Sequence, residues 1–451
     1  MQDKKNIIYT VTIVGLVLAL GLLWYLLVSG NNSNQQDNGP GGTPPDGNPP
    51  GGSSNVTYSA NKEITTSEDI NSGEYSSSKA DENVISVSGD IESNLSNITV
   101  TKTGDSDGGD NTSFYGTNSA IIAKSGATLN ITNANITTDA NGANGVFSYG
   151  GSATTNNASN DGTTVNISDS TITTSKNNSG GIMTTGGGVM NATNLTITTA
   201  GTSSAAIRSD RGGGTVVVNN GTYKTTGKGS PTIYSTADIT VKNATLIATA
   251  SEGVVIEGKN SVTLENVDLT DTNNTLNGQS TTYKNIFLYQ SMSGDAANGE
   301  ATFTAKNSKI TTNKGDSFYI TNTTATINLE NNEIINNDST GYFLRSMKDS
   351  WGNSGSNGGV VTLNLTNQKV NGNIYIDSIS TLTMNMNSSN YEGTINTDNT
   401  AKSISLKLDS SSTIKLTGDS YISSLEDSDS TYSNIDLNGY KLYVNGKELT
   451  K

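Results

Sequence analysis

The sequence predicts an all-β fold, a parallel β-helix with three strands per coil, preceded by one N-terminal transmembrane helix and a disordered linker. Three observations carry that expectation: a returning phrase of short alternating strands, a nearly unbroken column of Asn inside it, and a shortage of apolar residues. The chain has 451 residues, with 49 Gly, 6 Phe and 2 Trp, and only 32% of it is hydrophobic. Such poverty ordinarily points to disorder. A solenoid escapes that rule because each coil buries only a thin apolar strip against its neighbours.

The phrase runs from about residue 83 onward. It is a short alternating strand, an Asn, then a second strand that often ends in Thr. Thr128 to Thr138 (TLNITNANITT), Thr164 to Thr174 (TVNISDSTITT), Ile239 to Leu246 (ITVKNATL) and Val262 to Leu269 (VTLENVDL) are examples. The closing apolar position recurs at Val100, Ile136, Ile172, Ile197, Tyr223, Leu246, Leu269, Ile310, Ile334 and Val370, with weaker continuations at Tyr391, Ile414 and Leu442. Period-2 alternation identifies strands with one face inward. Three residues before each closing position stands Asn97, Asn133, Asp169, Asn194, Asn220, Asn243, Asn266, Asn307, Asn331 or Asn367. Asn accepts the left-handed backbone of a tight turn, and amides stacked from coil to coil can form a ladder.

A third strand precedes each phrase, as at Gly145 to Tyr149, Gly181 to Thr184, Ala205 to Arg208, Pro231 to Tyr234, Gly253 to Glu257, Ile286 to Tyr289, Tyr342 to Arg345 and Ile374 to Asp377. Three strands per coil with a two-residue Asn turn between the last two resembles the single-stranded right-handed parallel β-helix of the pectate-lyase-like superfamily, above all its adhesin-like and carbohydrate-binding surface members. The likeness covers residues 83 to 445 and rests on coil pattern and ladder, without a catalytic motif. Residues 56 to 82 and the segment from Leu437 to Lys451 are expected to cap the ends, since open ends would template aggregation.

Ahead of the repeats, Ile7 to Val28 carries no charged side chain, and Lys4 and Lys5 precede it. At 1.5 Å per residue such a helix spans roughly 33 Å, enough for a bilayer core. No further Lys or Arg occurs until Lys62, so the N-terminus is expected in the cytoplasm and the rest of the chain outside, on a single-pass anchor at the cell membrane. A cleaved signal peptide is the rival reading. Five of the six prolines fall between Gly30 and Asn55, which reads as a semi-extended tether. The expected organisation is therefore a tip and anchor over 1–29, a linker over 30–55 and a β-helix over 56–451.

The net charge of −15 argues against nucleic acid as partner. The absence of Cys and His excludes Cys/His zinc sites, thiol nucleophiles and any Ser-His-Asp triad. In families of the resembled kind, ligands lie along the exterior of the third strand. With Val146, Ile207, Ile233, Ile256, Leu288, Ile320, Leu344 and Ile376 inward, alternation turns Phe147, Tyr149, Arg208, Tyr234, Glu257, Phe287, Tyr289, Tyr319, Phe343, Arg345, Tyr375 and Asp377 outward. An aromatic row of that kind suits the C–H faces of sugar rings. The competing expectation is that the loops Thr270 to Asn285 and Met347 to Gly359 fold over this face and the rings pack beneath them.

Three functions follow as expectations: a tethered module binding polysaccharide or a surface glycan, a calcium-dependent polysaccharide lyase with Arg208 or Arg345 as base, and a spacer without a ligand. Asp105, Asp107 and Asp110 offer alternating carboxylates in a Gly-rich loop, a candidate calcium site outside the EF-hand pattern. The Arg208, Asp210, Arg211 cluster could serve a lyase, or be a solvated strand end. Thr-x-Thr pairs such as Thr171/Thr173 and Thr196/Thr198 are similar to those of ice-binding solenoids, but the rows break at Lys224 and Ala248.

Overall fold

The computed structural model of the chain describes residues 56–106, 109–153, 159–278, 280–291 and 293–450. The expected anchor and linker, residues 1–55, lie outside them. Among the described residues the fold is all-β, made of long parallel sheets, with one short helix at Asp110–Tyr115. No helix there is long and apolar enough to cross a membrane.

Strands pair with their counterparts one coil later, an arrangement compatible with a parallel β-helix. A twelve-stranded sheet collects the third strands. Its register sets Val146, Ile182, Ile207, Ile233, Val254, Ile286, Phe318, Leu344 and Ile374 in one inward row. All nine are buried. So are the eight residues that alternation turns inward and all the closing apolar positions except Ile334, which is half-buried against the same core. Each such side chain contributes roughly 1.5–3 kcal/mol relative to its exposed form.

The second, 21-stranded sheet bends around the Asn column. All ten column residues have positive φ, from 48° at Asn367 to 67° at Asn220. At this corner Thr128–Thr132 gives way to Asn135–Thr138, while Gly188–Thr199, Gly214–Thr225 and Asp238–Ala248 run through the bend as single strands. The amides stack on the outside: Asn133 donates to Asn97 at 2.6 Å, Asn194 to Asp169 at 2.7 Å, Asn266 to Asn243 at 3.1 Å and Asn331 to Asn307 at 2.8 Å. Asn243 departs from the pattern and reaches Asn219, at 2.8 Å.

Two further ladders were not legible in the sequence. Asn94, Asn130, Asn166 and Asn191 form an exposed to half-buried row on the sheet face, linked at 2.9, 2.8 and 2.9 Å. Inside the corner, Ser308, Asn332, Gln368, Ser389 and Ser412 each accept the backbone N–H of the preceding coil, at 2.8–3.1 Å. That buried row satisfies amides which the bend removes from sheet pairing. On the same sheet Lys242 faces Glu265 at 2.8 Å and Lys306 faces Glu330 at 2.9 Å. Such exposed pairs are each worth ~0.2–1 kcal/mol, and they favour one register over a slipped one.

The ends differ from the expected caps in one respect. Ala60–Ile64, Asp69–Ile70 and Gly73–Ser77 pair in parallel with the next coil and so form a coil themselves. At the other end Leu442–Val444 turns back on Lys447–Glu448, the one antiparallel pair among the described strands.

The corner generates a prediction. Asn266→Ala places a Cβ residue without a compensating amide at φ 55° and is expected to cost about 1–2 kcal/mol, with Asn266→Gly costing less. Urea unfolding of the two variants side by side checks the order.

Candidate functional site

Because the Asn corner is short and uniform, the variable loops fall at the two ends of the first sheet and flank its outer face. Register gathers Phe147, Met183, Arg208, Tyr234, Val255, Phe287, Tyr319, Arg345 and Tyr375 into one outer row. Glu257 and Tyr289 stand in a second row two residues along. Tyr149 occupies the same position near the N-terminal end. Phe343 is the exception to the expected outward set. It precedes the strand Leu344–Ser346, where alternation no longer governs, and it packs in the main core with its ring 5.4 Å from Phe318.

Most of the row is roofed by the chain's own segments, as the competing expectation had it. Near the N-terminal end Phe147 packs with Ile122 and Met183 under Tyr58 and Tyr149. The helix Asp110–Tyr115 closes over them, and its left-handed cap Gly116 lies on the Phe147 ring, where a Cβ would come within 2.7 Å. Further along, Trp351 from the loop 347–358 packs on Phe287 at 5.3 Å and Tyr289 at 5.4 Å. Tyr319 is buried below the same loop and donates its hydroxyl to Asp349 at 2.6 Å.

Between these roofs lies a polar cluster. The buried Glu257 carboxylate accepts the hydroxyls of Tyr234, Tyr289 and Ser291. Asp210 accepts Arg208 at 2.9 Å and the Arg211 amide at 3.0 Å. Arg211 donates to Asp295 at 2.7 Å and lies 4.0 Å above the Phe114 ring, while Arg208 reaches Ser113 at 3.3 Å, so the short helix is pinned to the sheet. Burial and the nearby Asp295 carboxylate push Glu257 up to about 7, against the pull of the three hydroxyls. Burial raises Asp210 to about 6, although Arg208 opposes the rise. Burial, with Glu257 beside them, holds both phenols well above their ordinary range. The cluster can store a proton at neutral pH, but its hydroxyls are spent on Glu257.

Beyond the Trp351 roof the row opens. Tyr342, Arg345 and Tyr375 are half-buried, with the guanidinium 4.4 Å from the Tyr342 ring centre and 5.7 Å from that of Tyr375. The two rings meet edge to face at 5.8 Å. Asp316 holds the guanidinium through hydrogen bonds of 2.6 and 3.2 Å. Near the C-terminal end the half-buried Tyr421 and Tyr443 stack at 4.8 Å. Asp377 is buried and occupied in a turn, where it accepts Ser380 and the Lys348 amide, the latter at 2.8 Å.

Of the expected site residues, then, Arg345 and Tyr375 share one patch and are half-buried, as are Tyr149, Arg208 and Tyr234. Phe147, Glu257, Tyr289, Tyr319 and Asp377 are enclosed. Sequence reading missed Tyr342, whose ring turns outward at a corner just ahead of its strand, and Trp351, although one of only two Trp in the chain marks that loop. For the candidate calcium loop, Asp107 lies outside the described residues, Asp105 accepts the Asn141 amide at 2.7 Å, and Asp110 begins the short helix. Among the described residues no three Asp or Glu converge as metal ligands.

Glu257 ties the cluster to pH. Its folded value lies above its ordinary 4.5, so the native state binds the proton more tightly than the unfolded chain. Its contribution is complete below pH 4.5 and lost as pH rises through about 7. The whole span is worth about 3 kcal/mol. Asp210 adds a similar loss ending near 6. Thermal melting is therefore expected to fall across this range, and Glu257→Gln to flatten the upper part of the fall. Comparison with protein-family models, curated proteins and solved structures found no match to this chain.

Proposed function

We propose that the chain is a membrane-tethered right-handed parallel β-helix that faces outward from the cell and binds a surface polysaccharide. One observation carries the binding reading: Tyr342, Arg345 and Tyr375 stand half-buried side by side, an aromatic and cationic patch beyond the segments that enclose Phe147, Phe287, Tyr289 and Tyr319. Rigid aromatic side chains held by a strand offer contact area to sugar rings at small entropic cost. The guanidinium, already fixed by Asp316, presents its remaining N–H groups to hydroxyls. A neutral glycan fits best, because a surface of charge −15 repels acidic polymers. The tether rests on the uncharged run Ile7 to Val28 and the proline-rich linker behind it.

The lyase reading is the weaker one. A base must be able to give up its proton, whereas burial pulls Arg345 down but its pairing with Asp316 outweighs that and holds it above its ordinary value, and Arg208 is paired with Asp210 at 2.9 Å.

Purified protein titrated against neutral and acidic polysaccharides is expected to bind a neutral one. Tyr342→Ala and Tyr375→Ala should each weaken it by about tenfold, ~1.4 kcal/mol. Val360→Ser, an exposed position on the second sheet, should leave binding unchanged. Equal binding by all three variants would remove the patch from the reading, and silence across the panel would leave a spacer.

A further inference from the structure

Lys284 is fully buried, with its ammonium nitrogen 4.4 Å from the Phe287 ring centre, 4.9 Å from that of Tyr319 and 5.8 Å from that of Trp351. It donates to Ser280 Oγ and to the Thr282 carbonyl at 3.1 Å. The carboxylate that enters ion-pair range is Glu252, with Oε1 at 3.9 Å, too far for a hydrogen bond. Other enclosed pairs in this protein close directly: Arg208–Asp210 at 2.9 Å, Arg211–Asp295 at 2.7 Å and Arg345–Asp316 at 2.6 Å. Two ions taken out of water cost several kcal/mol each, and only close, hydrogen-bonded geometry offsets that. The Lys284–Glu252 approach lacks it.

Asp271 adds a second anomaly. It is buried, and neither carboxylate oxygen has a hydrogen-bond partner. Glu252 itself is held through its other oxygen by Ser251 Oγ at 2.7 Å. A buried amine and a buried carboxyl thus meet beneath three aromatic rings that surround the amine, with the charge of Glu252 felt by a second buried carboxyl, Asp271.

We propose that Lys284 Nζ and Glu252 Cδ condense into an intramolecular amide cross-link, with Asp271 relaying the protons. A proton passes from the ammonium to the carboxylate, and the amine lone pair then attacks Cδ. The N–C bond forms and a C–O bond breaks. Asp271 donates a proton to the departing oxygen and recovers one from nitrogen, so ammonium and carboxylate become amide and water. Net charge is unchanged and no oxidant or cofactor is required. Burial favours the neutral amine and the protonated Asp271 that the step uses, lowering Lys284 and raising Asp271 well above its usual range, the latter with help from the Glu252 charge. The product removes both ions from the corner.

Tryptic mass spectrometry of the denatured full chain tests this. The expected result is no cleavage after Lys284, and a species in which the peptide carrying Glu252 is joined to the peptide carrying Lys284, lighter than their sum by one water. Glu252→Ala and Lys284→Met should abolish it. Asp271→Asn, which keeps both reacting groups, should reduce the joined fraction at least tenfold. Complete cleavage after Lys284 in the natural chain would overturn the proposal and leave a plain buried ion pair. A joined species persisting in Glu252→Ala would overturn the choice of partner, and full joining in Asp271→Asn would overturn the relay.

Discussion

In-register parallel stacking at the Asn corner is the constraint on which everything else in this protein depends. Each coil must bend where the next one bends, or a one-residue slip would turn its apolar set outward. The bend is fixed by residues that tolerate positive φ, ten of them in a column. Their side chains then convert a tolerated conformation into a specified one, because the outer amides bond between coils. Beneath them the buried Ser, Asn and Gln row satisfies the amides exposed by the turn. An inner and an outer polar row at one corner explain how a chain with so few large apolar side chains holds a long core.

Uniformity at that corner pushes all variation elsewhere. Loops of different length can be accommodated only at the ends of the first sheet, so they gather around its outer face and decide what that face does. Two of them, the helix Asp110–Tyr115 and the loop bearing Trp351, spend its aromatics on internal packing. The same covering creates the buried acids. Glu257, Asp210 and Asp271 are raised because segments of the chain exclude water from them, and the hydroxyls and guanidinium groups around the first two keep the cost bearable. The stretch around Tyr342, Arg345 and Tyr375 stays half-buried rather than enclosed, and that is where binding is proposed.

Much of the architecture was legible in the chain itself. Alternation identified the inward residues of the third strand, and Asn spacing identified the turn, because both are local consequences of backbone geometry. Phe343 shows where local reasoning fails. It lies one residue ahead of a strand, at a corner whose direction is set by packing on Phe318 rather than by the pleat. The short helix at Asp110–Tyr115 escaped for a related reason: six residues without an apolar period carry no helical signal, and it exists through Arg208, Arg211 and Phe147 beneath it.

By itself the sequence determined the all-β class, the coil repeat, the turn column and the inward strip, all properties of neighbours along the chain. Tertiary structure alone decided which outward side chains meet water. Half-burial of Tyr375 and enclosure of Tyr319 follow from identical strand positions in adjacent parts of one row. The difference is a loop whose Asp349 takes the Tyr319 hydroxyl and whose Trp351 packs on the neighbouring Phe287 and Tyr289, contacts between residues distant in sequence and therefore written in no local pattern.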